Sequence, residues 1–291
     1  MNNKKLKQKA KNYYDQEAED YISQYQRSYD QYPANLIRIK FIIERLGKSK
    51  VKTILDVGCG TAGPMIKLLK KGFEVTGFDF SEDMVTQGKK ELVKAGYDSE
   101  LIKLVYLEDT TELPGKKFDA VIALGVFPHL LNERKALVNI RKMLNPGGLV
   151  FIEFRNDLFA AFSFNKYSLE FFLNRLIDVN SLPKHLGSGL IDFYSNKLKV
   201  DYPTNVTDGR ISYTDILANF QNPLTIGKEL FNSCGFSVTD IHFYHFHALP
   251  PIFEKKYPKI FRELSLKLEK TNDWKGYLMA SAFVVEAKKP R

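Results

Sequence analysis

Ile54-Leu55-Asp56-Val57-Gly58-Cys59-Gly60-Thr61-Ala62-Gly63-Pro64 is the stretch on which the reading of this chain turns. A short apolar run ends in a cluster of glycines, and Pro64 sits where the first turn of a helix tolerates it. Strand, glycine turn and helix in that order form a phosphate- or nucleotide-facing element, because a bulky side chain at the turn would hold the backbone away from a ligand. Gly58, Gly60 and Gly63 satisfy G-x-G-x-x-G literally, and Asp79 lies about twenty residues on, as in a dinucleotide site. Asp56 argues against that ligand. A carboxylate two residues before the first glycine would repel a pyrophosphate, yet it suits a ligand that carries an ammonium group. S-adenosylmethionine carries one, together with a ribose diol that Asp79 can accept hydrogen bonds from.

Outward from this stretch, apolar runs alternate with capped amphipathic segments from Val51 to Glu153, the pattern of a parallel sheet with crossover helices. The spacing predicts strands at Val51–Val57, Glu74–Phe80, Leu101–Leu107, Phe118–Leu124 and Leu149–Phe154. Helices are predicted after Pro64, from Ser81 to about Ala95, and over Glu133–Leu144, the last ending in a tight turn at Asn145-Pro146-Gly147-Gly148. Strand signals resume at Phe236–His247 and Leu278–Glu286, completing an α/β fold with a seven-stranded, mostly parallel sheet and helices on both faces. Residues 1–50 read as a helical lid broken at Pro33, 51–155 as the cofactor-binding core, 156–222 as an inserted substrate cap with a turn at Asp208-Gly209, and 223–291 as the end of the core sheet.

Five segments then carry a resemblance: DVGCGTAG (Asp56–Gly63), TGFDFSEDMV (Thr76–Val85), LEDTTELP (Leu107–Pro114), FDAVIALGVFPHL (Phe118–Leu130) and LNPGGLVFIEF (Leu144–Phe154). In this order they resemble the class I, Rossmann-like S-adenosylmethionine-dependent methyltransferases of the small-molecule type. The resemblance implies that Asp56, Gly58 and Gly60 border the methionine moiety and that Asp79 holds the ribose. It further implies Phe80 and Met84 beside the adenine, Asp109 accepting from its amino group, Thr110 offering it a backbone N–H, and Leu124 and Gly125 under the sulfonium. Tyr13–Tyr21 is similar to the helix such enzymes fold over the cofactor, so Tyr14 or Tyr21 would close the site. One departure is Ala62, where a glycine is common.

Methyl transfer asks the protein to align a nucleophile, exclude water and remove a proton. After the fourth strand the chain reads Gly125-Val126-Phe127-Pro128-His129, unlike the run that grips the exocyclic amine of a base, which argues against nucleic-acid N-methylation. His129 is the candidate base, its reference pKa near 6.5 suiting a hydroxyl or ammonium nucleophile. Glu153, as base or amine anchor, and Arg155, as anion anchor, leave the fifth strand toward the same mouth. His245 and His247 share a face by period two, with His242 opposite, and no third ligand suggests a metal.

The charge of +9 is concentrated in Lys4, Lys5, Lys7, Lys9, Lys11 and the C-terminal Lys288, Lys289 and Arg291. Cys59 and Cys234 are too few for a disulfide framework. With no apolar run long enough to span a bilayer, the expectation is a cytoplasmic enzyme that transfers a methyl group to an oxygen or nitrogen of a small polar metabolite, with room for a homodimer contact in the aromatic stretch Leu158–Ile177. The rival readings are an RNA methyltransferase, motivated by the basic N-terminal arm, and a non-catalytic cofactor-binding module with a protein partner.

Overall fold

The computed structural model describes residues 5, 6, 8–16, 33–107, 116–198, 216–271 and 273–291. Tyr21, Asp109, Thr110 and the expected turn at Asp208-Gly209 lie outside these residues. Helices α1 (residues 8–16) and α2 (Ala34–Gly47) precede the sheet. Then β1 (Thr53–Val57), α3 (Gly63–Leu69), β2 (Glu74–Asp79), α4 (Glu82–Lys94), β3 (Ile102–Leu104), β4 (Phe118–Ala123), α5 (Glu133–Met143) and β5 (Leu144–Asn156) alternate. Short helices α6 (Ala160–Ser163) and α7 (Lys166–Glu170), a longer α8 (Lys184–Leu198) and the two-residue strand β6 (Phe220–Gln221) come next. The chain ends with β7 (Ser237–Phe246), α9 (Ile252–Lys256), α10 (Pro258–Leu268), α11 (Lys275–Met279) and β8 (Ala280–Lys288).

The strands order as β3-β2-β1-β4-β5-β8-β7, with β8 antiparallel to both neighbours and β6 paired to β5. The expected seven strands are therefore present, and β6 adds an eighth. Parallel strands covered on both faces must be apolar on both, which explains the unbroken runs of β1 and β4. Leu55 and Val57 face Leu137 and Ile140 of α5, whereas Ile54 faces Ile39 and Ile42 of α2 and Met65 and Leu68 of α3. All nine are buried, and each full burial of an aliphatic side chain contributes about 1.5 to 3 kcal/mol.

Two boundaries differ from the sequence reading. The turn expected at Asn145–Gly148 lies inside β5 as an excursion: Phe118 pairs with Leu144 and Ala120 with Leu149, so the residues between are extruded. Asn145 Nδ2 donates to Asp119 Oδ1 at 2.9 Å, and Gly147 takes φ +76°, holding the bulge in place. Strand β3 is shorter than expected because only Ile102–Leu104 pair with β2. At the end of β7, His245 adopts φ +58° and breaks the alternation predicted for the histidines. Phe243 and Phe246 thus reach the same core, His242 stacks on Phe41 at 3.7 Å, and His245 and His247 lie with ring centroids 4.8 Å apart.

Candidate active site

The carboxyl ends of β1, β2 and β4 open into a cleft, the place where ligands bind in sheets of this topology. Gly58 and Gly60 form its floor at the turn leaving β1, both at positive φ. A side chain at Gly58 would put its Cβ 2.3 Å from Val126 Cγ2, so the floor stays open only with glycine there. Ala62 takes φ +66° while fully buried, standing in the left-handed conformation a glycine would ordinarily supply.

Asp79, at the end of β2, is buried and lines the cleft. It accepts the Gly60 N–H at 2.9 Å and the Ser81 N–H at 3.0 Å, so it ties the glycine turn to the start of α4. Burial raises its pKa, and the N–H donors from Ser81, Gly60 and Phe80 oppose that rise. Ser81 caps α4 by accepting the Met84 N–H at 3.1 Å, which places Phe80 and Met84 on the cleft wall. Its hydroxyl also donates to Asp15, pinning α1 against the cleft. Tyr14 follows from that contact: it lines the cleft edge-on to Phe80 and to His129, at 6.0 and 5.7 Å.

Asp56 lies beneath the lining residues and is 1% exposed. Its Oδ2 has no hydrogen-bond partner among the described residues. Burial, then the charge of Asp79, pushes its pKa up to about 8, with Arg38 opposing. A buried carboxylate oxygen without a donor is costly unless something supplies one, so this pair of acceptors fits a ligand whose ammonium group and sugar diol donate. Leu124 and Gly125, just past β4, complete the floor.

His129 stands in the wall after β4, its Nδ1 2.6 Å from the Leu217 carbonyl. Burial, then the charge of Arg155, lowers its pKa to about 4, well below the value near 6.5 expected from the sequence. Arg155 lies over the Phe220 ring at 5.7 Å, in register with β6. Glu153 is not brought to the cleft. It faces the α2 side of the sheet, where it forms a buried ion pair with Arg38, whose Nη1 also lies 3.5 Å from Tyr244 Oη. Its expected direction fails because residues 151 and 153 share a strand face and Phe151 packs under α2.

Sequence reasoning missed Ala10, Val105, Tyr106, Leu107, Leu130 and Leu131, which also line the cleft. The run Val105-Tyr106-Leu107 read as strand, and its position one residue past β3 is the signal that would have found it.

A mostly parallel sheet with a glycine turn at β1 and an acid at the tip of β2 defines a nucleotide-binding Rossmann-like protein. Residues 55–150 match the methyltransferase domain family. The ubiquinone biosynthesis O-methyltransferase of Pseudomonas paraeruginosa is 27% identical over 68% of this chain and 80% of its own length. The glycine/sarcosine N-methyltransferase of Halorhodospira halochloris is 29% identical over 53% and 58%. In fold, the chain is similar to the CcbJ methyltransferase from Streptomyces caelestis, with a TM-score of 0.59 at 14% identity, covering 96% of this chain and 98% of that one. Residues 55–150 thus form the domain of a class I S-adenosylmethionine-dependent methyltransferase, and S-adenosylmethionine is its cofactor.

Proposed function

We propose that this enzyme methylates an oxygen or nitrogen of a small polar metabolite that carries an anionic group. The observation that carries this reading is His129, an imidazole kept neutral by its surroundings, in the wall of the cleft that Gly58, Gly60 and Asp79 border. Bound S-adenosylmethionine supplies a methyl carbon already activated by its sulfonium. Asp79 and Asp56 would hold the sugar and the ammonium end, Phe80 and Met84 the base, and Tyr14 would shut the cleft against water.

A backbone carbonyl can only accept, so the His129–Leu217 contact places the neutral ring's proton on Nδ1 and makes Nε2 the basic nitrogen. Nε2 would take the proton of the nucleophile as the new bond forms. Its low pKa makes it a weak base, which suits an ammonium or phenol better than an alcohol. Arg155, at the end of β5 and electrostatically coupled to His129, would anchor a carboxylate or similar group of the acceptor. The names of the relatives, a ubiquinone biosynthesis O-methyltransferase and a glycine/sarcosine N-methyltransferase, support oxygen and nitrogen acceptors of small-molecule kind.

The test is transfer of labelled methyl from S-adenosylmethionine to a panel of amino acids, phenolic acids and their neutral amides. Acids should be methylated in preference to amides, and Arg155→Ala should raise KM for acids alone. Equal rates for acids and amides would remove Arg155 from acceptor binding.

A further inference from the structure

The segment Ile252–Lys270, spanning α9 and α10, turns apolar side chains outward. Ile252 is 59% exposed and Ile260 54%, and Phe253, Tyr257 and Leu264 are exposed beside them. Phe253 and Tyr257 stack on one another at 6.4 Å, one turn apart, and Ile260 and Leu264 follow at the same spacing on α10. These residues are not spare core. The inward face of α10 is Phe261 and Ser265, which close on the end of β7: Phe261 meets the His247 ring at 5.4 Å, and Ser265 Oγ accepts the Ala248 N–H at 3.0 Å.

Lysines surround the apolar tips. Lys255, Lys256, Lys259, Lys267 and Lys270 are all exposed. Of the three acids in the same segment, Glu269 turns inward to accept the Phe246 N–H at 3.0 Å, which leaves Glu254 and Glu263 to face outward. The outward surface is therefore net basic with apolar tips between the charges. A basic protein partner is excluded by repulsion, and an acidic soluble partner would leave the isoleucines and aromatics without a use. An anionic lipid surface satisfies both: phosphate headgroups meet the lysines, whose stems reach outward, while the apolar tips enter the acyl boundary.

The topology gives this face a direction. β7 and β5 are both antiparallel to β8, so β7 runs parallel to β5 and ends on the edge of the sheet where the cleft opens. α9 and α10 sit on that edge. No helix among the described residues is long and apolar enough to cross a membrane, so the contact would be peripheral.

We infer that the α9–α10 face docks the enzyme reversibly on anionic lipid bilayers, with the cleft mouth on the membrane side. The inference does not depend on the identity of the acceptor. It is tested with the full chain by sedimentation with phosphatidylcholine vesicles, with and without about one-third phosphatidylglycerol. Binding should occur only to the anionic vesicles and should fall in about 0.5 M salt, where charges are screened within a few ångströms. The Ile260→Asp, Leu264→Asp double variant should lose about tenfold or more of the vesicle-bound fraction, as expected when apolar tips are removed from an interface. Both sites are exposed, so an unchanged melting temperature should accompany the loss. A second variant, Lys255→Glu with Lys259→Glu, should lose binding without touching the apolar tips. Absence of sedimentation, equal binding to neutral vesicles, or full binding by the Asp variant would overturn the inference, the last assigning the effect to the basic tails. A concentration-dependent dimer abolished by the Asp variant would overturn it too, by giving the face to a second copy of the chain.

Discussion

His129 and Leu217 lie 88 positions apart in the chain, and the imidazole Nδ1 meets the carbonyl oxygen at 2.6 Å. The contact is held from both sides. Asn219 donates its backbone N–H to the Pro128 carbonyl at 2.7 Å and its side chain to the Leu130 carbonyl at 2.8 Å, so the segment leading into β6 is fastened to the loop that carries His129. The proton position on the ring is thereby set by a distant part of the fold.

If His129 takes the proton of the nucleophile, His129→Ala should lower kcat by about a hundredfold, in the range for removing a general base, with a much smaller change in KM. Asn219→Ala should lower kcat less and leave cofactor affinity unchanged. Because burial depresses the His129 pKa to about 4, the ring is unprotonated from neutral pH downward until about that value. The wild-type rate assigned to this group should therefore hold as the medium is acidified and fall only as pH drops through about 4. Steady-state kinetics across pH would check this, and an acid limb centred near 6.5 would contradict it.

Asp56 should couple cofactor binding to proton release. In the ligand-free protein its carboxyl is held protonated up to about pH 8, chiefly by burial. A cationic ligand group favours the carboxylate, so binding below pH 8 must expel a proton, and affinity should rise with pH by up to about tenfold per unit until that value. Calorimetry of cofactor binding in buffers of different ionisation heat would measure the proton. Identical heats in all buffers would exclude the coupling.

Asp79→Ala should weaken S-adenosylhomocysteine binding by about 1 to 3 kcal/mol, the range for hydrogen bonds to a charged acceptor. The same change removes the bonds to Gly60 and Ser81, so amide exchange in the glycine turn should quicken. Titration calorimetry and hydrogen exchange give the two readouts.

The Arg38–Glu153 pair belongs to stability. Side-chain exposures of 4% and 12% place it well inside the protein. Glu153→Ala leaves the guanidinium buried without its counter-ion and should cost about 3 to 5 kcal/mol in urea unfolding, whereas Arg38→Met with Glu153→Leu should recover most of it. A loss no greater in the single variant than in the double would show the pair to be unimportant.

What was legible in the sequence is what short-range chemistry dictates. The Ser81 cap, the glycine turn, the apolar β1 and β4 and the helix that starts after Pro33 each depend on neighbours a few residues away, and each was readable. Arg38 with Glu153, His129 with Leu217 and Asn219 with Leu130 were not, because no periodicity links residues so far apart. The direction of Glu153 was lost for a related reason: alternation says which residues share a strand face, but only packing against α2 says which face that is. The reversal at His245 shows the limit of alternation itself, since one left-handed residue shifts everything beyond it.

Among the described residues, those that border the cleft fall between Ala10 and Leu131, before β5 begins. The lining of the cleft is thus spelled out early in the chain, while Leu217 and Asn219 reach it from far downstream through the loop that carries His129. Exchange of the later part of the gene would inherit the cofactor's walls intact but would have to bring with it a carbonyl to orient that imidazole.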